Sequence, residues 1–165
     1  MLSATAAMLL NFFLKQYKNQ SKEMSIWFDK SITLDKIKNF ALDSMAAFLG
    51  MEYTEIGEDF LKMSMPVNDR SRQPYGLLHG GASCALAETV GSIASALVID
   101  NDKFYCVGLE INANHIKGAR EGFVIGKCIP LHLGKSTHVW DIKIVNENED
   151  LICVSRLTVA IIPKK

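Results

Sequence analysis

Glu88 is the one acidic residue between Asp69 and Asp100, and it stands inside a long run of small and apolar residues. Taking an ionised carboxylate out of water is costly, so a glutamate so placed is paired, raised in pKa or used for chemistry. The chemistry open to it is proton abstraction from water or direct attack on an electrophilic carbonyl. Taken alone, Glu88 fits equally well a side chain that reaches a solvent channel or a subunit boundary.

Its surroundings add weight to chemistry. Ser92 is four residues on and shares a helix face with Glu88, where a hydroxyl orients a carboxylate or a water. His79-Gly80-Gly81 stands where the apolar run begins. Free N–H groups and the positive end of a helix dipole gather at such a start, and glycine lets a ligand come close. A carbonyl oxygen or a developing oxyanion is held well there. Gln73 lies in the preceding loop. Singly, the glycine pair is a turn, Ser92 a packing residue, His79 a hydrogen-bonded histidine and Gln73 a loop amide. Together they make a site.

The elements that must position these residues follow from hydrophobic patterning. Ala82 to Ile99 has helical length and no charged face, the pattern of a helix buried on all sides. Thr33 is placed to cap an earlier helix with Asp35 in its first turn and Ile37, Phe40, Ala41, Met45 and Phe48 at helical spacing, stopping at Gly50. Residues 50–57 suggest a short strand, and Phe60 to Val67 alternates as a half-buried one. Further strands are expected over Phe104–Asn114, Gly122–Leu133, Thr137–Val145 and Leu151–Ile162, with a hairpin across Asn146 to Asp150. One buried helix with five or six antiparallel strands gives an α+β class, a sheet wrapped round a long central helix.

Composition bounds the rest. The chain has 165 residues, 48% hydrophobic and 22% charged, which suits one globular domain. Eighteen basic residues cancel eighteen acidic ones, so neither nucleic acid nor a membrane is an expected partner. Cys84, Cys106, Cys128 and Cys153 form no C-x-x-C pair and read as reduced thiols of a cytoplasmic protein. The histidines have no metal-ligand spacing, and no metal or cofactor is expected. Residues 1–23 form a separate apolar extension without an acidic residue before Glu23. Its apolar run is too short to span a bilayer and lacks a basic flank before it, so a loosely ordered extension or an upstream start before Met24 is expected rather than a signal peptide. Residues 24–165 read as one domain.

At this point the residues form a recognisable pattern. Gln73-Pro-Tyr-Gly-Leu-Leu-His-Gly-Gly-Ala-Ser-Cys-Ala-Leu-Ala-Glu-Thr-Val-Gly-Ser92 resembles the signature of hotdog-fold acyl-CoA thioesterases of the 4-hydroxybenzoyl-CoA thioesterase type. Gly108 to His115, Ala119 to Gly122 and Pro130 to Gly134 continue the likeness, which runs from about Trp27 to Ile162. It is nearest to members acting on 1,4-dihydroxy-2-naphthoyl-CoA in menaquinone synthesis, so aryl-CoA esters, with that one foremost, are the expected substrates.

The resemblance implies roles for individual residues. Glu88 is the nucleophile or the base that activates water, and Gly80 offers its N–H to the thioester carbonyl. Gln73 assists that polarisation or positions the water, His79 orients the carbonyl or the leaving thiolate, and Ser92 holds water beside Glu88. His115 lines the acyl pocket, while Gly81, Lys117, Arg120, His132 and Lys135 are further expected substrate contacts, the three bases among them suited to the phosphates of coenzyme A. The family implies that Glu88 and Ser92 of one subunit face Gln73, His79 and Gly80 of another, so that a homodimer is the smallest active unit, with a homotetramer the usual one. Two other readings stay open at this stage, a hotdog hydratase or dehydratase pairing His79 with Glu88, and a non-catalytic acyl-CoA-binding protein.

Overall fold

The computed structural model describes residues 25–38 and 44–165. The extension over residues 1–23, and Phe40 and Ala41 of the expected first helix, lie outside the described residues. Two single-turn helices stand where one longer helix was expected, α1 (Leu34–Ile37) and α2 (Met45–Phe48). The capping differs too. Thr33 makes no side-chain cap, whereas the Ser44 side chain accepts from the Ala47 N–H.

The long helix, α3, runs over Gly80–Val98, and six strands complete the chain: β1 (Glu52–Ile56), β2 (Leu61–Pro66), β3 (Phe104–His115), β4 (Phe123–Leu133), β5 (Thr137–Asn146) and β6 (Leu151–Pro163). They form one antiparallel sheet in the order β1-β2-β4-β5-β6-β3. The hairpin between β5 and β6 closes as its turn residues demand. Asn146 Oδ1 accepts from the N–H groups of Asn148 and Asp150, and Glu149 takes a left-handed conformation.

Alanines at 82, 85, 87, 94 and 96 favour helix, and the sheet curls around the result. Leu86, Val90 and Ala94 are fully buried against Val124, Ile142, Ile144, Leu157 and Val159. Burying each of the larger side chains is worth about 1.5–3 kcal/mol. Gly91 sets the closeness of approach, since a Cβ there would come within 2.6 Å of Leu157 Cδ2.

Burial of α3 on all sides is not what a single chain shows. Its inner face is buried, whereas Cys84, Ala85, Glu88, Thr89, Ser92 and Ile93 are only half-buried. A six-stranded sheet covers one side of a helix and leaves the other open. By length and composition α3 could cross a membrane, but half of that stretch is buried inside the protein.

On the buried side, Trp140 is fully enclosed and its Nε1–H donates to Ser95 Oγ at 2.7 Å. Ser95→Ala removes the acceptor and strands a buried donor. The expected loss is about 1–3 kcal/mol, read as a shifted midpoint in urea denaturation.

Candidate active site

The loop before α3 is built to hold one end of that helix open. Ser71 Oγ donates to Pro66 O at 2.7 Å, and Ser71 O accepts the His79 N–H at 2.8 Å. The Leu78 N–H reaches Ala119 O at 2.7 Å, and Arg120 Nη1 donates to Tyr75 O. The chain is thereby fixed on both sides of the helix start.

His79 is the N-cap. Its Nδ1 accepts the Gly81 N–H at 2.8 Å, which places the ring proton on Nε2. The Gly80 N–H has no partner among the described residues and remains a free donor at the positive end of α3. Gln73 Oε1 accepts the Tyr75 N–H at 2.8 Å, so the amide NH2 is the end left to donate. Gln73 and Gly80 line one cavity of about 290 Å³ with Leu77, Ser83, His115 and Ile152. Its wall sets the uncommitted donors of Gln73 and Gly80 beside the apolar Leu77, Leu78, Ile116 and Ile152.

His115 packs against the helix start, since a Cβ on Gly80 would lie 2.7 Å from its Nε2. Lys117 lines the same cavity, with its ammonium 2.7 Å from Asp150. Gly81 is exposed beside it.

Glu88 belongs elsewhere on the helix. It lies eight residues beyond Gly80, about 12 Å along the axis, and does not line that cavity. Ser92 Oγ donates to Glu88 Oε1 at 3.4 Å. Burial raises the carboxyl above its ordinary 4.5, and the Ser92 bond offsets this only in part. Within one chain, therefore, His79 and Glu88 do not face each other as an acid–base pair.

The expected coenzyme A contacts also divide. Lys117 and Arg120 lie at the N-terminal end of α3. Lys135 lies at the C-terminal end, lining a cavity of about 600 Å³ with Val98, Phe104, His138 and Ile161. His132 is close by, packed against Gly134. Nineteen helical residues separate the two groups, about 28 Å, so one chain cannot bring all four to a single nucleotide. The cause is topological, because the loop after β3 and the β4–β5 hairpin sit at opposite ends of the sheet.

Two neighbours of the site were not assigned roles from the sequence. Asp150, which holds Lys117, reads there only as a turn residue. Gly108 on β3 lies against the Glu88 carboxylate, and only the three-dimensional contact reveals it.

With this geometry in view, comparison with known proteins is direct. The thioesterase superfamily model matches residues 75–153. The chain belongs to the thioesterase superfamily and is a hotdog-fold thioester hydrolase. It is 49% identical to the 1,4-dihydroxy-2-naphthoyl-CoA hydrolase of Escherichia coli over 137 residues, covering 83% of this chain and 99% of that one. A crystallised Pseudomonas aeruginosa thioesterase, a Gln-to-Ala variant, superposes with a TM-score of 0.82 at 42% identity, covering 85% of this chain and 100% of that one. A Staphylococcus aureus thioesterase superposes with a TM-score of 0.71 at 50% identity, covering 73% and 99%. It has been crystallised as a Gln-to-Ala and as a Glu-to-Ala variant, at positions 15 residues apart. Gln73 and Glu88 have the same separation.

Two stability measurements check the local physics. Asn is a good N-cap and Ala is not, so His79→Asn should keep the melting temperature while His79→Ala loses about 1 kcal/mol. Glu88 has a folded pKa above its unfolded one, so its ionisation opposes folding as pH rises from 4.5 through the raised value. Glu88→Gln should therefore be at least as stable as wild type at pH 7, and the advantage should vanish in denaturation curves taken below pH 4.5.

Proposed function

We propose that the protein hydrolyses aryl-CoA thioesters, 1,4-dihydroxy-2-naphthoyl-CoA foremost, in a site shared between two copies of the chain. The observation that carries this reading is the distance between Gly80 and Glu88. A reacting carbonyl and its attacking atom must come within about 3–3.5 Å. Glu88 and the Gly80 N–H, about 12 Å apart along one helix, cannot serve the same carbonyl in one chain. A second copy resolves this. The α3 face bearing Glu88 is only half-covered, and β3 is an edge strand with Val107 and Leu109 exposed. Pairing there brings Glu88 of one copy to the Gly80 cavity of the other. The exposed Phe123, Ile129 and Leu131 offer a surface on which two such pairs form a tetramer.

In this arrangement the Gly80 N–H and the Gln73 amide polarise the thioester carbonyl, and His79 Nε2–H faces the leaving sulfur. The acyl group enters the cavity lined by His115. Glu88, steadied by Ser92, attacks the carbonyl or takes a proton from the water that does. If water attacks, its oxygen forms the new C–O bond as the C–S bond breaks, and the proton held by Glu88 passes to the departing thiolate. If Glu88 attacks, the C–S bond breaks to leave a Glu88–acyl anhydride. Water then cleaves the anhydride to the free acid and the restored carboxylate, its proton going to the thiolate. A thiolate leaves with little acid help, so a carboxylate and two donors suffice. Lys117, Arg120 and Gly81 of one copy, with His132 and Lys135 of the other, are then available to coenzyme A. The free thiols of the four cysteines support a place in the cytoplasm, and the relative's substrate supports a role in menaquinone synthesis.

The reading is tested by thiol release from a panel of CoA esters. Glu88→Ala should lower kcat by on the order of 10²–10⁴ with folding intact, and a wild-type rate in that variant would end the assignment. Sharing is tested by mixing. Glu88→Ala and Gln73→Ala chains, each impaired alone, should regain activity when co-expressed, because one site of the mixed dimer then has both residues.

A further inference from the structure

Every glycine with a left-handed backbone in the described chain, namely Gly50, Gly76 and Gly122, has a conformational reason for its identity. Gly108 does not. Its backbone is one that any residue adopts, and it lies inside a long strand, where glycine weakens pairing and marks a close approach by something else. What approaches is the carboxylate of Glu88. A Cβ built on Gly108 would overlap Glu88 Oε1 and lie 3.0 Å from the carboxyl carbon, but 3.4 Å from Oε2. The register of β3 against β6 shifts between Gly108 and Glu110, a bulge of the kind that re-aims a strand beside a site.

We propose that Gly108 is a positioning residue for the hydrolysis, its bare backbone forming the floor on which Glu88 Oε1 rests so that Oε2 is presented to the reaction. The inference rests on the reading of Glu88 as the catalytic carboxylate. Oε1 is engaged twice, by the strand beneath it and by the Ser92 hydroxyl at 3.4 Å. Oε2 has no hydrogen-bond partner among the described residues. A side chain on Gly108 meets the mobile end of a glutamate rather than backbone. The carboxylate can swing away at little expense to folding, but it then leaves the line of attack.

Gly108→Ala should therefore fold with a melting temperature close to wild type and elute at the wild-type size. Misplacing a reacting group by about 1 Å costs on the order of 10² in rate, so kcat should fall about that far with KM for the same CoA ester little changed. The acid limb of the pH profile should move toward 4.5 as the displaced carboxyl regains water. A purely structural glycine would not move it. The double substitution supplies the sharper control. Glu88→Asp withdraws the carboxylate by one methylene, so adding Gly108→Ala should cost little more in that background. Wild-type kcat in Gly108→Ala, or an equal fall in both backgrounds, overturns the proposal. If Gly108→Ala alone does not fold, recovery of folding with Glu88→Asp supports the contact, and failure of both overturns it. Activity surviving Glu88→Ala would instead sink the assignment of Glu88 itself.

Discussion

The packing of α3 into the hollow of one curled sheet governs the rest of the molecule. Leu86, Val90 and Ala94 give that contact its hydrophobic driving force, and Gly91 lets the helix sit close against Leu157. A sheet of six strands can enclose only one side of the helix. The side left over is where Glu88 and Ser92 project. The core contact and the half-buried Glu88 and Ser92 thus occupy opposite faces of one element, so the inner face can be packed tightly without reference to the outer one.

The same helix is also polarised along its length. Its first turn has one N–H occupied by a histidine side chain and another left free. The loop that carries Gln73 is tied to the 119–120 segment by the Leu78 N–H to Ala119 O and by the Arg72 and Arg120 side chains on the facing backbone carbonyls. A donor held this way needs no reorganisation when charge develops on a substrate oxygen, which is where such groups gain their advantage over water. The carboxylate is held by a different logic. It is partly dried, which raises its basicity, and it is limited by one hydroxyl and one bare stretch of strand.

Much of this was legible in the sequence, and for identifiable reasons. Strand limits followed alternation closely, as at Trp140, Ile142 and Ile144, all fully buried opposite Asp141 and Lys143. Glu88 was visible because a lone charge in an apolar helix is an energetic anomaly, and the Gly80 donor because helix starts always leave free N–H groups. The full burial of α3 was misread, since composition records how apolar a helix is but not how many chains cover it. That Lys117 and Arg120 lie at the opposite end of α3 from Lys135 within one chain was not legible, because opposite ends of a sheet carry no mark in local pattern. The capping use of His79 Nδ1 and the tie between Lys117 and Asp150 depend on side-chain direction, which spacing does not encode.

One feature of the topology bears on how the molecule comes into being. Among the described residues β3 is held in the sheet through β6 alone, a strand that follows it much later in the chain. The backbone at Gly108 thus takes its place beside Val159 some fifty residues later, a closure whose entropy must be met before any contact repays it. As the chain emerges during synthesis, α3 and β3 are available long before the strand that docks β3. The stretch of strand against which the Glu88 carboxylate rests therefore joins the sheet only after β6 has been made, long after the helix that carries Glu88.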